Sequence, residues 1–316
     1  MTQYDLIVVG GGISGLTAAL KALENGIEKV LLIEKEDILG GLLNQFIDNA
    51  FGEKLLKSKM TGPEYINFFE ERIKEYDIDI KLSSYVLNIS NEKVVTYVSP
   101  DEGVKKVKSK AIILSTGCRE KYTGNIAIPT NSFVGIYTIG NVHKTITTEG
   151  YMPGVRPVIV VNNRLGIIVS RRVVIEGGKI QAVLIDSNYK LSEEDEEIIS
   201  EFNIPIIKDS KVIEACGVDR INSVNIKKHD SDEIINIKCD SLFLSVGYFP
   251  EIDMIKETDI EIDKVLKSPK VNNYCTNVEG IFACGNLIYG IEAANIRDID
   301  GIAAGEKAVE YIKTIN

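Results

Sequence analysis

Two histidines, His143 and His229, are all that this 316-residue chain offers. Its five cysteines, Cys118, Cys216, Cys239, Cys275 and Cys284, form no C-x-x-C pair and match no zinc-ligand spacing. A metal site is therefore not expected. An odd, unpaired set of thiols suits a reducing compartment. No run reaches the roughly 18 consecutive apolar residues that a membrane span needs. The chain enters its first apolar strand at Tyr4 without a preceding basic segment; neither a leader nor a membrane anchor is expected, and the expected location is the cytoplasm. A basic stripe is also missing. The net charge is −10, with acids gathered in stretches such as "SEEDEE" at 192–197, which disfavours nucleic acid and anionic membrane surfaces as partners. The length exceeds one typical domain, so two are expected.

What is present begins as an α/β unit. Leu6–Val9 read as a strand, Gly10-x-Gly12-x-x-Gly15 as a turn, and Ile13, Leu16, Leu20 and Leu23 recur at helical spacing until Asn25-Gly26. The next strand, "VLLIE", ends in Glu34. This order is what a dinucleotide requires. Gly10 makes the tight turn, Gly12 lets the backbone approach a pyrophosphate, Gly15 allows close helix packing, and Glu34 holds adenosine-ribose hydroxyls. A capping box at Thr61 and Glu64, with Pro63 in the first turn, predicts a helix burying Ile66, Phe69, Ile73 and Tyr76. Short strands at 78–82, 85–89, 93–98 and 111–115 predict an antiparallel meander inserted into a parallel sheet. A second strand, turn and helix follows at 157–161 and 165–176, then Gly177-Gly178 and the strand "KIQAVLID".

The intact glycine turn, the inserted meander and "TNVEGIFACGN" at 276–286 together resemble the two-dinucleotide-binding-domain flavoproteins, the superfamily of thioredoxin reductase and glutathione reductase. The resemblance implies an α/β fold of two Rossmann-like three-layer domains, with a nicotinamide-nucleotide-type domain nested in an FAD domain. "STGCRE" at 115–120 and "SVGYFPE" at 245–251 match the family's crossover segments. They put the FAD domain at 1–118 plus 246–316 and the nested domain at 119–245. By the same resemblance FAD lies against Gly10, Gly12, Ile13, Ser14, Gly15, Glu34, Lys35, Gly40, Gly41, Leu42, Asn44, Val86, Thr116, Gly117, Gly285 and Asn286. Asn286 stands where the family has an acid. The helix beginning near Glu292 would aim the N–H groups of Ala293, Ala294 and Asn295 at the flavin. "GGLLNQ" at 40–45, "FGEKLLKSKMTGPEY" at 51–65, "STGCRE", "EGYMPG" at 149–154 and "FACGN" at 282–286 look like flavoprotein subunits related to opine oxidase and hydrogen cyanide synthase, and those encoded beside anaerobic glycerol-3-phosphate dehydrogenases. That group implies a second flavoprotein dehydrogenase and a small iron–sulfur protein as partners, with homo-oligomerisation open.

Departures from the family narrow the chemistry. Thioredoxin reductase carries C-x-x-C in its nicotinamide domain and glutathione reductase relatives carry cysteine soon after the first helix; here no cysteine precedes Cys118. Disulfide reduction and single-cysteine peroxidase chemistry are disfavoured, and Cys118 and Cys284 read as small packing residues. In the nested domain Val161, Asn163 and Gly166 occupy the three glycine positions. A valine in a glycine-only conformation costs on the order of 1–3 kcal/mol, so NAD(H) as second cofactor is expected to be weakened by Val161 and, more mildly, by Asn163. Asp186 either holds a ribose hydroxyl, favouring NAD over NADP, or opens a turn into a helix capped near Ser192. Arg164 is a candidate for anion binding; Arg171 and Arg172 read as surface pairs. Asn44, Gln45 and Glu292 are candidates for lining the flavin, and His143 reads as structural. Three readings stay open: an NAD(H)-dependent flavin oxidoreductase serving a partner, a flavoprotein subunit with a decayed nicotinamide site reduced only through its partner, and a non-catalytic FAD-containing scaffold.

Overall fold

The computed structural model describes residues 1–290 and 298–315, which fall into two compact units, Met1–Arg119 with Phe249–Asn316 and Glu120–Tyr248. Glu292, Ala293, Ala294 and Asn295 lie outside the described residues.

The first unit is built on one seven-stranded sheet. Its elements are β1 (Thr2–Val9), α1 (Ile13–Glu24), β2 (Val30–Ile33), α2 (Gly62–Ile73), β3 (Asp79–Lys81), β4 (Tyr85–Ile89), β5 (Val94–Ser99) and β6 (Gly103–Leu114), followed late in the chain by a strand at Ile281–Ala283 and a helix at Asp298–Ile315. The strand order is β3-β2-β1-β6-β5-β4, with Ile281–Ala283 pairing beside the end of β6. Successive residues of β1 serve opposite faces. Leu6 and Val8, with Leu32 and Ile113, pack under α1, α2 and the last helix. Ile7 and Val9, with Leu31, Ile112 and Leu114, pack against Val86, Val95, Met254 and Leu287. Burial on both faces is why these central strands read as continuous apolar runs.

Local signals set the helix limits. Thr61 and Glu64 form the reciprocal cap of α2, Thr61 N–H donating to Glu64 Oε2 at 2.8 Å and Glu64 N–H to Thr61 Oγ1 at 3.4 Å. Tyr76 is only half-buried and lies beyond the end of that helix. The meander differs from expectation in two ways. β3 pairs parallel with β2 and belongs to the parallel sheet. The third antiparallel strand is the start of β6, where Val94–Ser99 pair with Gly103–Lys108. That half of β6 carries Lys105, Lys106 and Lys108 rather than an apolar pattern, so the sequence showed only its buried end at 111–115.

The second unit contains β7 (Ile136–Thr138), α3 (Ile139–Thr147), β8 (Pro157–Val161), α4 (Arg164–Ile175), β9 (Ala182–Ile185), α5 (Glu193–Glu201), β10 (Ile206–Lys208), β11 (Ser210–Gly217), β12 (Ile221–Lys228), β13 (Ile234–Lys238) and β14 (Ser241–Ser245). A parallel sheet runs β10-β9-β8-β14-β7, and β11-β12-β13 form a separate antiparallel sheet. The fold is α/β, with a Rossmann-like parallel sheet in each unit. Among the described residues no helix is long and apolar enough to cross a membrane.

The last helix lies against α1 through Gly301 and Gly305. A Cβ at Gly301 would overlap the Ser14 carbonyl oxygen and Thr17 Oγ1, and one at Gly305 would lie 2.7 Å from Ala18 O. Substituting Gly301→Val should therefore destabilise the protein by about 1–3 kcal/mol, the usual range for overpacking, read as a lower denaturation midpoint. An unchanged midpoint would show that the two helices do not meet this closely.

Candidate functional site

The parallel strands of the first unit end on one edge, and the chemistry-bearing residues collect there, as in open α/β sheets generally. Val9 leads into Gly10, whose φ of +103° is the left-handed turn that only glycine takes without strain. Gly12 is the N-cap residue of α1 and gives its helix no side-chain cap; a Cβ placed on it would meet no atom within 4 Å. A Cβ on Gly15 would overlap the Gly10 carbonyl oxygen, so the glycine lets α1 approach the strand end with its N-terminus presented to that open space. Glu34, buried at the end of β2, accepts the Gly11 N–H at 2.5 Å through Oε2 and the Glu36 N–H at 2.8 Å through Oε1.

A second glycine loop closes on the first. Gly40 N–H donates to Gly11 O at 2.8 Å, and a Cβ on Gly41 would lie 3.3 Å from the Gly12 Cα. Asn44 Nδ2 donates to Leu39 O at 2.5 Å, which holds the loop's own turn, while the Gln45 side-chain oxygen is enclosed without a hydrogen-bond donor among the described residues. A buried acceptor left unmatched marks a place where a bound donor would be favoured. From the far side, Cys284 N–H donates to Leu114 O at 2.9 Å and sets Gly285 and Asn286 beside the end of β6. Thr116 Oγ1 donates to Glu251 O at 2.7 Å, and Glu251 N–H to Gly117 O at 3.0 Å.

The strand ends thus gather Gly10, Gly12, Ile13, Ser14, Gly15, Glu34, Gly40, Gly41, Thr116, Gly117, Gly285 and Asn286. These residues fit a dinucleotide: open space over Gly12, a helix N-terminus facing it, and a buried carboxylate one strand away. The Val86 side chain is buried in the core on the other face of the sheet, so what it can offer a ligand is its main chain. Lys35 is exposed and Leu42 half-buried. Sequence reasoning missed Ser115, whose hydroxyl donates to Val9 O and Gly10 O, both at 2.9 Å. The repeated "STG" and "SVG" at 115–117 and 245–247 carried the signal, because Ser245 holds the matching position in the second unit.

The corresponding turn of the second unit is different. Asn163 is the N-cap residue of α4 with φ −155°. Its Oδ1 accepts the Leu165 N–H at 3.2 Å and the Ser245 hydroxyl at 2.9 Å, and its Nδ2 donates to Asn162 Oδ1 at 2.9 Å. Val161 is the last residue of β8, in register with Ile185 and Ser245, and is not among the positive-φ residues. The expected backbone strain at Val161 is therefore absent. Its side chain instead fills the space under Gly166, where a Cβ would lie 2.6 Å from Val161 Cγ2. Arg164, the anion-binding candidate, pairs through its guanidinium with Glu194 and approaches Asp195 Oδ1 at 3.9 Å. Arg172 pairs with Glu176 at 2.6 Å. Asp186 Oδ1 accepts the Asn188 N–H at 2.8 Å and its side-chain amide at 2.9 Å, which is the turn-forming role. Ser192 caps α5 reciprocally with Asp195. His143 is buried in α3.

Four of the five thiols share one tendency. Burial pushes Cys216, Cys275 and Cys284 above the ordinary thiol range, and Cys239 up to about 11, the opposite of the depressed value of a reactive thiolate.

Replacing Gly12 by Val separates fold from ligand, because its side chain would enter open space rather than the protein. The variant should keep the denaturation midpoint of the FAD-stripped protein and lose most bound flavin, read as the flavin-to-protein absorbance ratio after gel filtration. Full flavin retention would place the dinucleotide elsewhere.

Comparison with known proteins agrees with this geometry. The chain is 25% identical over 287 residues to an NADH dehydrogenase of Ferdinandcohnia aciditolerans, covering 90% of this chain and 52% of that protein; it thus spans about half the length of that relative. It is 24% identical over 323 residues to a ferredoxin–NADP reductase of Picrophilus torridus, covering 99% of this chain and 94% of the relative. The crystal structure of T. acidophilum thioredoxin reductase shares its fold, with a TM-score of 0.78 at 22% identity and all of both chains covered. The family model described as pyridine nucleotide-disulphide oxidoreductase matches residues 4–298. This chain belongs to that family of oxidoreductases, whose members bind FAD and use NAD(P)H.

Proposed function

We propose that the chain is an FAD-dependent oxidoreductase in which electrons pass directly between the flavin and a redox partner, with no thiol relay. The observation that carries this reading is the pairing of a complete dinucleotide cradle at Gly10–Gly15 with five cysteines in no C-x-x-C spacing. When bound, FAD supplies hydride and single-electron transfer at its ring; the chain supplies binding, orientation and electrostatics. Glu34 fixes the Gly11 turn and can accept ribose hydroxyls. Gly12 leaves room for pyrophosphate, and the 40–45 loop brings Asn44 and Gln45 to the same edge. Asn286, in place of an acid, removes one negative charge beside the phosphates while keeping a hydrogen-bonding side chain.

The partners this reading names are a second flavoprotein dehydrogenase and a small iron–sulfur protein. Support comes from the stretches that resemble subunits related to opine oxidase and hydrogen cyanide synthase. The ferredoxin–NADP reductase relative, matched over 94% of its length, adds a precedent for exchange with an iron–sulfur protein. The raised thiols argue in the same direction, since a relay needs an accessible thiolate.

The test is reductive titration of the holoprotein with dithionite under anaerobic conditions. Complete bleaching should take about two electrons per flavin, the capacity of the flavin alone. An uptake of about four, with a second two-electron centre, would overturn the absence of a thiol relay.

A further inference from the structure

The second unit keeps the strand, turn and helix of a nicotinamide-nucleotide site, yet its residues do not fit the cofactor. We infer that the N-terminus of α4 is closed to a dinucleotide pyrophosphate by the side chain of Asn163, locked in place by Ser245. The inference rests on the flavoprotein reading only for its consequence, that NAD(P)H is not this protein's electron donor.

Both units contain the same local geometry up to one residue. Gly12 and Asn163 each immediately precede the first helical residue, and each stands three positions before a glycine, Gly15 or Gly166, that lets the helix approach its strand. In the first unit the serine that follows the neighbouring strand, Ser115, donates to main-chain oxygens of the turn, and nothing stands over Gly12. In the second, the equivalent Ser245 donates to Asn163 Oδ1 at 2.9 Å, and that same oxygen accepts the Leu165 N–H at 3.2 Å. The helix donor that would meet a phosphate is satisfied from within. Asn163 is only 5% exposed and Ser245 1%, so the lock is buried, and a pyrophosphate oxygen cannot displace Asn163 Oδ1 without stranding a buried amide and a buried hydroxyl.

Two further features act in the same direction. Arg164, the first residue of α4, pairs with Glu194 and lies 3.9 Å from Asp195 Oδ1 on α5. The first turn of α5 carries Glu193, Glu194, Asp195 and Glu196, and two of these acids, Glu194 and Asp195, face Arg164.

Isothermal calorimetry of NADH and NADPH into the FAD-loaded protein tests this. The wild-type protein should give no saturable heat into the millimolar range, and its flavin should stay oxidised. Asn163→Gly should gain saturable NADH binding, at least about tenfold tighter than wild type. Asn163→Asp, which keeps a capping oxygen and adds charge, should gain none. Saturable NADH binding by the wild-type protein overturns the inference at once, as does an Asn163→Gly variant with unchanged melting behaviour and no gained binding. Should Asn163→Gly not fold, the wild-type titration still decides. Neither result touches the flavoprotein reading, which fails separately if the purified chain retains no FAD.

Discussion

Everything at the first unit's strand edge depends on how closely α1 approaches the end of β1. The missing Cβ of Gly15 lets the helix settle against the Gly10 carbonyl, which Ser115 holds through its hydroxyl. With that contact made, the helix N-terminus faces outward over Gly12 and the partial positive charge of its first turn meets open space. A side chain at Gly15 would push the helix away, and the loop at Gly40, whose N–H bonds Gly11 O, would lose the turn it is built around. Gly301 extends the same constraint outward, because the last helix can lie against α1 only where its own Cβ is absent.

The second unit shows the same scaffold put to a different end. There the helix-facing glycine survives as Gly166, but the contact it makes is with the Val161 side chain rather than a carbonyl, and the helix donor is answered by Asn163. Strand, turn and helix are retained because the core under β8 and β9 requires them. Dinucleotide binding needs more: an uncapped helix start, which only the first unit keeps. The two units thus share strand, turn and helix and differ at the helix start, Gly12 in one and the capping Asn163 in the other.

Much of this was legible in the sequence wherever a local rule decides the structure. The glycine spacing, the acid at Glu34, the capping box at Thr61 and the N-cap near Ser192 each act within a few residues. Lys105, Lys106 and Lys108 hid the first half of β6, because most of that stretch is exposed and its pairing partner, not its own pattern, makes it a strand. Asp79–Lys81 was misassigned to the meander for a related reason: three residues carry no sign of whether their neighbour runs parallel. The strain expected at Val161 vanished because β8 runs one residue further than its glycine-bearing counterpart, leaving valine in ordinary extended backbone. The partners of Asn163 and Arg164 lie 82 and 30 positions away, and no periodicity announces them. Asn163 itself was readable as an N-cap, since asparagine is among the preferred capping residues.

The central claim is that helix-start chemistry decides which unit takes a dinucleotide. Amide hydrogen exchange, followed by mass spectrometry on FAD-stripped protein as FAD and then NADH are added, tests it most directly. Slowed exchange should appear across residues 10–16 and 40–45 with FAD, and exchange across residues 161–170 should stay unchanged with both. Slowing across 161–170 on adding NADH would contradict the account.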